Sequence, residues 1–277
     1  MQSNDEQFSQ YVRSKMKDVA GWFDRIDAEI YGVLLSFQSD SGLSGAGAEI
    51  GVHHGKSMTA ICLRLIPGEK AYCVDVFENQ ELNLDGSGKG DRTRLEENLR
   101  KFGVDLRSVK IQQKSSMDVK PEDIIELVGE VRFFNVDGGH WAEIVQSDLA
   151  LAEGSLTPHG IIAVDDFHSR EWPDVSAGYF AWYASRRKPL VPFVIGFNKL
   201  YLCEEEYAKR YQDAVVSHPF LAKCNPRSAV FQGMKLPVFS SQFVPEASVK
   251  RVVLGTMKTL APNLYQRLRQ LKSKAVQ

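Results

Sequence analysis

Between residues 46 and 203, short apolar runs alternate with stretches of helical spacing, and nothing else in the chain constrains its fold as much. Residues 46–52, 71–77, 109–112, 131–136 and 160–164 read as strands. Residues 56–65, 91–102, 121–128 and 141–152 carry apolar residues at three- and four-residue steps and read as helices. A helix between successive strands supplies the crossover that parallel pairing needs, so the spacing predicts βαβ units with helices on both faces of a sheet. The last two strands, 191–195 and 200–203, are joined only by Gly196-Phe197-Asn198-Lys199. That connection is too short for a crossover and must be a hairpin. The expected fold is α/β: a doubly wound, mostly parallel sheet ending in an antiparallel hairpin.

The flanks differ from this core. From Phe8 to Phe37 apolar residues recur at helical spacing, with Gly21 and Gly32 as expected breaks. This gives an N-terminal helical extension over 1–45, a core over 46–205 and a C-terminal extension over 206–277. The N-terminal segment is expected to cover a cleft or join a homodimer. The far C-terminus reads as a basic helix behind Pro262, with Leu264, Leu268 and Leu271 on one face. A solvated terminal helix and peripheral contact with an anionic membrane or a partner are both open for it. The whole chain has 34 Lys/Arg against 35 Asp/Glu and a net charge of −1, so it shows no global basic footprint for nucleic acid. No apolar run reaches the length of a transmembrane segment, and the start lacks a signal-peptide layout. Four widely spaced cysteines without a CxxC pair point to reduced thiols and a cytoplasmic protein.

The strongest motif is Glu49-Ile-Gly51-Val-His53-His54-Gly55-Lys56-Ser57, a glycine loop between an expected strand and an expected helix. Glycines let a ligand approach the backbone, and a helix start offers free N–H groups. The third glycine of the dinucleotide fingerprint is missing, and Ile50 stands where a P-loop needs its first glycine. These absences disfavour a nicotinamide oxidoreductase and a nucleotide triphosphatase. Glu49 ends the first strand and Asp75 ends the second. Each has a plain structural reading, as a helix cap and a solvated strand end. Together around a glycine loop they point to a nucleoside ligand, with Asp75 able to accept both ribose hydroxyls.

This combination resembles the cofactor site of class I S-adenosylmethionine-dependent methyltransferases. That family has a Rossmann-like, seven-stranded sheet whose last strand is antiparallel. The resemblance implies that Gly51 and Gly55 lie beside the methionine moiety, Glu49 lies near its ammonium, Asp75 holds the ribose, and Ser115 and Ser116 contact the adenine. Ser57 and Asp137 are grouped with this cofactor set. His53 and His54 are expected to shape the pocket.

A second cluster follows two expected strands: Asp137-Gly-Gly-His140 and, 28 residues after Asp137, Asp165-Asp166-Phe167-His168. Both acidic groups lie at strand C-terminal ends, where open α/β sheets bind ligands. Neighbouring strands lie about 4.8 Å apart, which brings Asp137, Asp165 and Asp166 within reach of one cation. All-oxygen donors suit Mg²⁺ or Mn²⁺. Asp137-Gly-Gly-His140, Asp148-Leu-Ala-Leu and Gly160-Ile-Ile-Ala-Val-Asp165-Asp166 are similar to the metal-dependent O-methyltransferases of the catechol and macrolide-sugar type. The resemblance implies a metal that chelates the acceptor hydroxyl. Catechol-type members place a base lysine just after the fourth-strand aspartate, where this chain has Gly138 to Ala142. His140 or His168 is the expected substitute as base. Residues 78–90 read as a mobile lid or an idle loop, and Arg170 and Trp172 as acceptor contacts. The sequence thus predicts an enzyme that transfers methyl from S-adenosyl-L-methionine to a hydroxyl of a sugar or other small natural product. The alternatives are a metal-independent methyltransferase with a histidine base, and a non-catalytic nucleoside-binding protein of the same fold.

Overall fold

A computed structural model describes residues 4–240. Two helices precede the sheet: α1 (Asn4–Gln10), continued by a wider π turn over Tyr11–Lys15 and a tighter 3-10 turn over Met16–Asp18, and α2 (Arg25–Asp40). Asp24 starts α2 by accepting the Ile26 N–H at 2.7 Å. The chain breaks at Gly21, where φ is +118°, but not at Gly32. Gly32 lies inside α2, and a Cβ there would stand 2.4 Å from the Phe8 ring, so its smallness admits α1 rather than ending a helix.

The core elements are β1 (Ala46–Ile50), α3 (Lys56–Cys62), β2 (Ala71–Asp75), α4 (Arg92–Lys101), β3 (Val109–Gln113), α5 (Pro121–Val128), β4 (Val131–Val136), α6 (Ala142–Ser155), β5 (Leu156–Val164), α7 (Pro173–Ser185), β6 (Leu190–Ile195) and β7 (Leu200–Glu204). α8 (Glu205–Ser217), α9 (Pro219–Lys223), β8 (Arg227–Phe231) and β9 (Met234–Val238) follow. Among the described residues the sheet order is β3-β2-β1-β4-β5-β7-β6-β9-β8. The pairs from β3 to β5 are parallel, and β7 is antiparallel to both β5 and β6. The order reverses between β1 and β4, which is where a doubly wound sheet opens a crevice.

Successive strand residues face opposite layers. Ala71, Cys73 and Phe133 pack with α2, α3, α4 and α8, whereas Tyr72, Val74 and Phe134 pack with α5, α6 and α7. At the edge away from the crevice, buried Arg132 of β4 pairs with Glu69 at 2.7 Å and donates to the Leu35 carbonyl at 2.9 Å, fastening α2 across the sheet.

The sheet exceeds the expected seven strands. Within the C-terminal extension, β8 and β9 form a hairpin around Gln232-Gly233, both at positive φ, and β9 joins β6. Such a two-residue turn is a usable hairpin signal that the strand count missed. The basic helix behind Pro262 lies outside the described residues. No described helix is long and apolar enough to cross a membrane.

Candidate active site

One cavity of about 890 Å³ runs along the C-terminal edge of β1, β2, β4 and β5. At one end the β1–α3 loop forms its wall. Gly51, at φ +77°, donates to the Val74 carbonyl at 3.0 Å, and a Cβ there would stand 1.7 Å from the Asp137 carbonyl oxygen. Only glycine lets the two strand ends come this close. Asp75 is held by two backbone donors, His53 N–H on Oδ2 at 2.7 Å and Phe77 N–H on Oδ1 at 2.6 Å. Burial raises its pKa, and these donors act against that. Ser57, Ser115 and Ser116 line the same wall, as does His53.

Glu49 and Gly55 stand behind this wall rather than in it. Gly55, at φ +81°, starts α3 and faces Leu95. Glu49 is fully buried; its Oε1 accepts from the Ser57 hydroxyl and from the Asn135 amide at 2.7 Å. Its Oε2 has no hydrogen-bond partner, and burial pushes the carboxyl up to about 7. A buried carboxylate oxygen without a donor is costly, and a cation arriving at the end of β1 would satisfy it.

At the other end Asp137 follows β4 and Asp165 and Asp166 follow β5, with ligand oxygens within 4.8 Å of one another. Lys199 reaches them from the β6–β7 turn. Its ammonium is 2.8 Å from Asp165 Oδ2 and 3.5 Å from Asp137 Oδ2, and the side chain is 2 % exposed. Asn198, beside it, donates to Asp165 Oδ1 at 3.0 Å and Asp166 Oδ1 at 2.9 Å. Burial and the charge of Asp165 hold Asp137 well above the usual carboxylate range, with Lys199 opposing. Burial works against a charged Lys199, but Asp165, Tyr31 and Asp137 outweigh it and keep the ammonium protonated.

The lysine place after the fourth strand is indeed empty, but a lysine reaches the acids from a different element. The topology could have revealed it. Because β7 runs antiparallel to β5, β6 runs with β5 and delivers its turn to the edge that bears the acids.

His140 lies in the cavity wall with each ring nitrogen facing a carboxylate: Nδ1 is 2.8 Å from Asp85 Oδ2, and Nε2 is 3.3 Å from Asp166 Oδ2. The His140 N–H also donates to Asp85 at 2.6 Å, and the ring stacks on Trp172 at 4.1 Å. Burial alone would lower its pKa, but Asp166 and Asp85 outweigh that and raise it. In this arrangement both ring nitrogens face carboxylates, which favours the charged form of the ring. Residues 78–90 are not an idle loop, since Asp85 belongs to them. His168 is exposed, packs edge-on to Phe167 at 4.4 Å and is absent from the cavity wall, contrary to the expected base role. Arg170 is likewise exposed and outside the wall.

With this geometry established, comparison with known proteins is direct. Residues 48–167 match the model of a family described as a methyltransferase domain. The fold of the chain is similar to that of the O-methyltransferase NovP, at 14% identity and a TM-score of 0.51, with 64% of this chain and 79% of that one covered. It is also similar to CalS11, a TDP-rhamnose 3′-O-methyltransferase of calicheamicin biosynthesis. There the identity is 15%, the TM-score 0.50, and the coverage 72% of this chain and 92% of that one. At such identities the likeness is one of fold. No curated protein matches the chain. The class I resemblance read from the glycine loop and the terminal hairpin therefore stands.

Proposed function

We propose that the protein is an S-adenosylmethionine-dependent O-methyltransferase for a hydroxyl of a sugar or other small natural product, assisted by Mg²⁺ or Mn²⁺. The observation that carries this reading is the single cavity that joins the Gly51–Asp75 wall to the three acids. Asp75, with both oxygens fixed, suits the ribose diol, Ser115 and Ser116 suit the adenine, and the unpartnered Glu49 oxygen suits an ammonium. Asp137, Asp165 and Asp166 bring carboxylate oxygens within 4.8 Å of one another, the all-oxygen donor set that Mg²⁺ or Mn²⁺ takes, so they fit the metal. Such an ion would orient the acceptor hydroxyl and lower its pKa.

The chain's own task is alignment. The loop at Gly51 and the acids at Asp137 face one another across the end of β1, which sets a methyl donor and an acceptor oxygen for in-line displacement. The Trp172 face, backed by His140, offers the acceptor a flat apolar contact. Lys199 and Asn198 hold the acids in place. A second reading, a metal-independent enzyme, draws on the Lys199 ammonium already bound to Asp165 and Asp137. The near-neutral charge and the four free cysteines suit a cytoplasmic enzyme of small molecules, with no nucleic-acid partner.

The test is calorimetric titration of S-adenosylhomocysteine into chelator-treated protein, followed by Mg²⁺. Micromolar nucleoside binding and a Mg²⁺ isotherm lost in Asp165→Ala are expected. Nucleoside binding without Mg²⁺ would favour the second reading, and no nucleoside binding would end both.

A further inference from the structure

Helix α2 lies outside the stretch that matches the methyltransferase domain, yet two of its buried polar side chains, one turn apart, reach the crevice edge. Tyr31 donates to Asn135 Oδ1 at 2.7 Å, and Asn135 donates to Glu49. Asp27, 1% exposed, meets the β6–β7 turn. Its Oδ1 accepts from the Phe197 N–H at 3.2 Å and the Tyr201 hydroxyl at 2.8 Å, and its Oδ2 accepts from the Asn198 N–H at 3.0 Å. The approach is so close that a Cβ on Gly196 would stand 1.8 Å from Asp27 Oδ1. Asn198, held in this way, donates through its side chain to Asp165 and Asp166, and Lys199, the next residue of the same turn, reaches Asp165 and Asp137.

We propose that Asp27 is a positioning residue of the active site. By holding the backbone of the turn it sets where the Lys199 ammonium and the Asn198 amide meet Asp137, Asp165 and Asp166, and so fixes the charge left for a cation. The second half of this statement rests on the reading of the acids given above. Three donors converge on Asp27, and only a carboxylate, which accepts and never donates when ionised, answers all of them. An asparagine would turn an NH₂ toward one of them. Burial pushes the Asp27 carboxyl up to about 7, and the charge of Lys199 and the donors from Asn198 and Tyr201 act against that.

The test compares Asp27→Asn, Gly196→Ala, Lys199→Met and the Asp27→Asn/Lys199→Met pair with the wild-type protein. Gly196→Ala pushes the turn off Asp27 by the clash of its methyl while the carboxylate itself is retained, and it carries the test if Asp27→Asn does not fold. An amine-reactive ester read by mass spectrometry should label Lys199 at least tenfold faster in Asp27→Asn and in Gly196→Ala. Lys56, which donates to the Gly21 carbonyl elsewhere on the cavity wall, should label at an unchanged rate. S-adenosylhomocysteine affinity should stay within threefold. In Mg²⁺ titration, Lys199→Met should tighten binding about tenfold, Asp27→Asn several-fold in the same direction, and the double variant no further than Lys199→Met. Equal labelling of Lys199 in wild type and both turn variants overturns the proposal. So does a general rise that includes Lys56 together with loss of nucleoside binding, which marks Asp27 as scaffold only. Freed Lys199 with unaltered or absent Mg²⁺ binding overturns the claim about the site's charge. A wild-type protein that binds no nucleoside defeats the proposed function instead, and leaves the labelling result to decide the role of Asp27.

Discussion

The two ends of the cavity are built by different means. The end proposed for the nucleoside is local: Gly51, His53 and Ser57 lie on one loop and the start of its helix, and Asp75 lies on the strand next door, held by backbone N–H groups. The acid end is assembled from afar. Asp137 meets Lys199 across 62 residues, Asp165 meets Asn198 across 33, and His140 meets Asp85 across 55. The first depends on backbone shape and is damaged by added bulk. The second depends on the balance of charges and is damaged by removing a partner.

Substitutions can test whether the two ends are separable. The largest effect is expected from Gly51→Ala, because the new methyl would meet the Asp137 carbonyl and the residue would keep a left-handed φ. S-adenosylhomocysteine affinity should fall at least thirtyfold. Mg²⁺ affinity should also weaken a few-fold, since the carbonyl displaced belongs to an acid of the other end. Unchanged Mg²⁺ binding would show that the ends do not communicate through β1 and β4. Asp75→Asn comes next: about tenfold weaker nucleoside binding, with Mg²⁺ binding unaltered. Asp85→Ala should lower turnover less than tenfold and leave both affinities alone, because it frees His140 without touching a wall of either subsite. A collapse of nucleoside binding in that variant would instead make residues 78–90 part of the cofactor end.

The smallest effect on the site is expected from Asp148→Asn, which reads stability. Asp148 is 1% exposed, and burial pushes its carboxyl up to about 7, with the Ser116 side chain acting against that. Its unfolded pKa is the ordinary 3.8, so between about pH 4 and pH 7 the unfolded chain sheds a proton that the folded chain keeps. Wild-type stability should therefore decline across that window and level off above it. Asp148→Asn should remove part of the decline, gaining on the wild type by an amount on the order of 2 kcal/mol by pH 8 in denaturant melts.

The sequence is legible where information is local. The strand–helix alternation, the hairpin at Gly196–Lys199, the glycine loop and the positions of Asp75, Asp137, Asp165 and Asp166 all follow from spacing. Even the break at Gly21 is visible, although Gly32 misleads because a glycine that admits a neighbouring ring looks the same in sequence as one that ends a helix. What spacing does not carry is the set of counter-groups. Lys199 reads as a turn residue, Asp85 as part of a polar loop and Asp27 as a helix acid, because their partners are fixed by the order of strands in the sheet. His168 looks as suitable as His140 in the sequence, and only the path of the chain after β5 separates them.

The pairing of β9 with β6 has a consequence for how the turn that carries Asn198 and Lys199 moves. Without it, β6 would be the outermost strand and free to fray. Instead Phe239 donates to the Ile195 carbonyl at 2.9 Å, at the root of the turn, while β7 is bonded to β5 on the other side. The position of outermost strand passes to β8, where Val230 is 75% exposed. Local opening at that margin can come and go without reaching the turn. The turn that carries the cationic side chain is thus braced from both sides, through β9 at Ile195 and through β7 against β5.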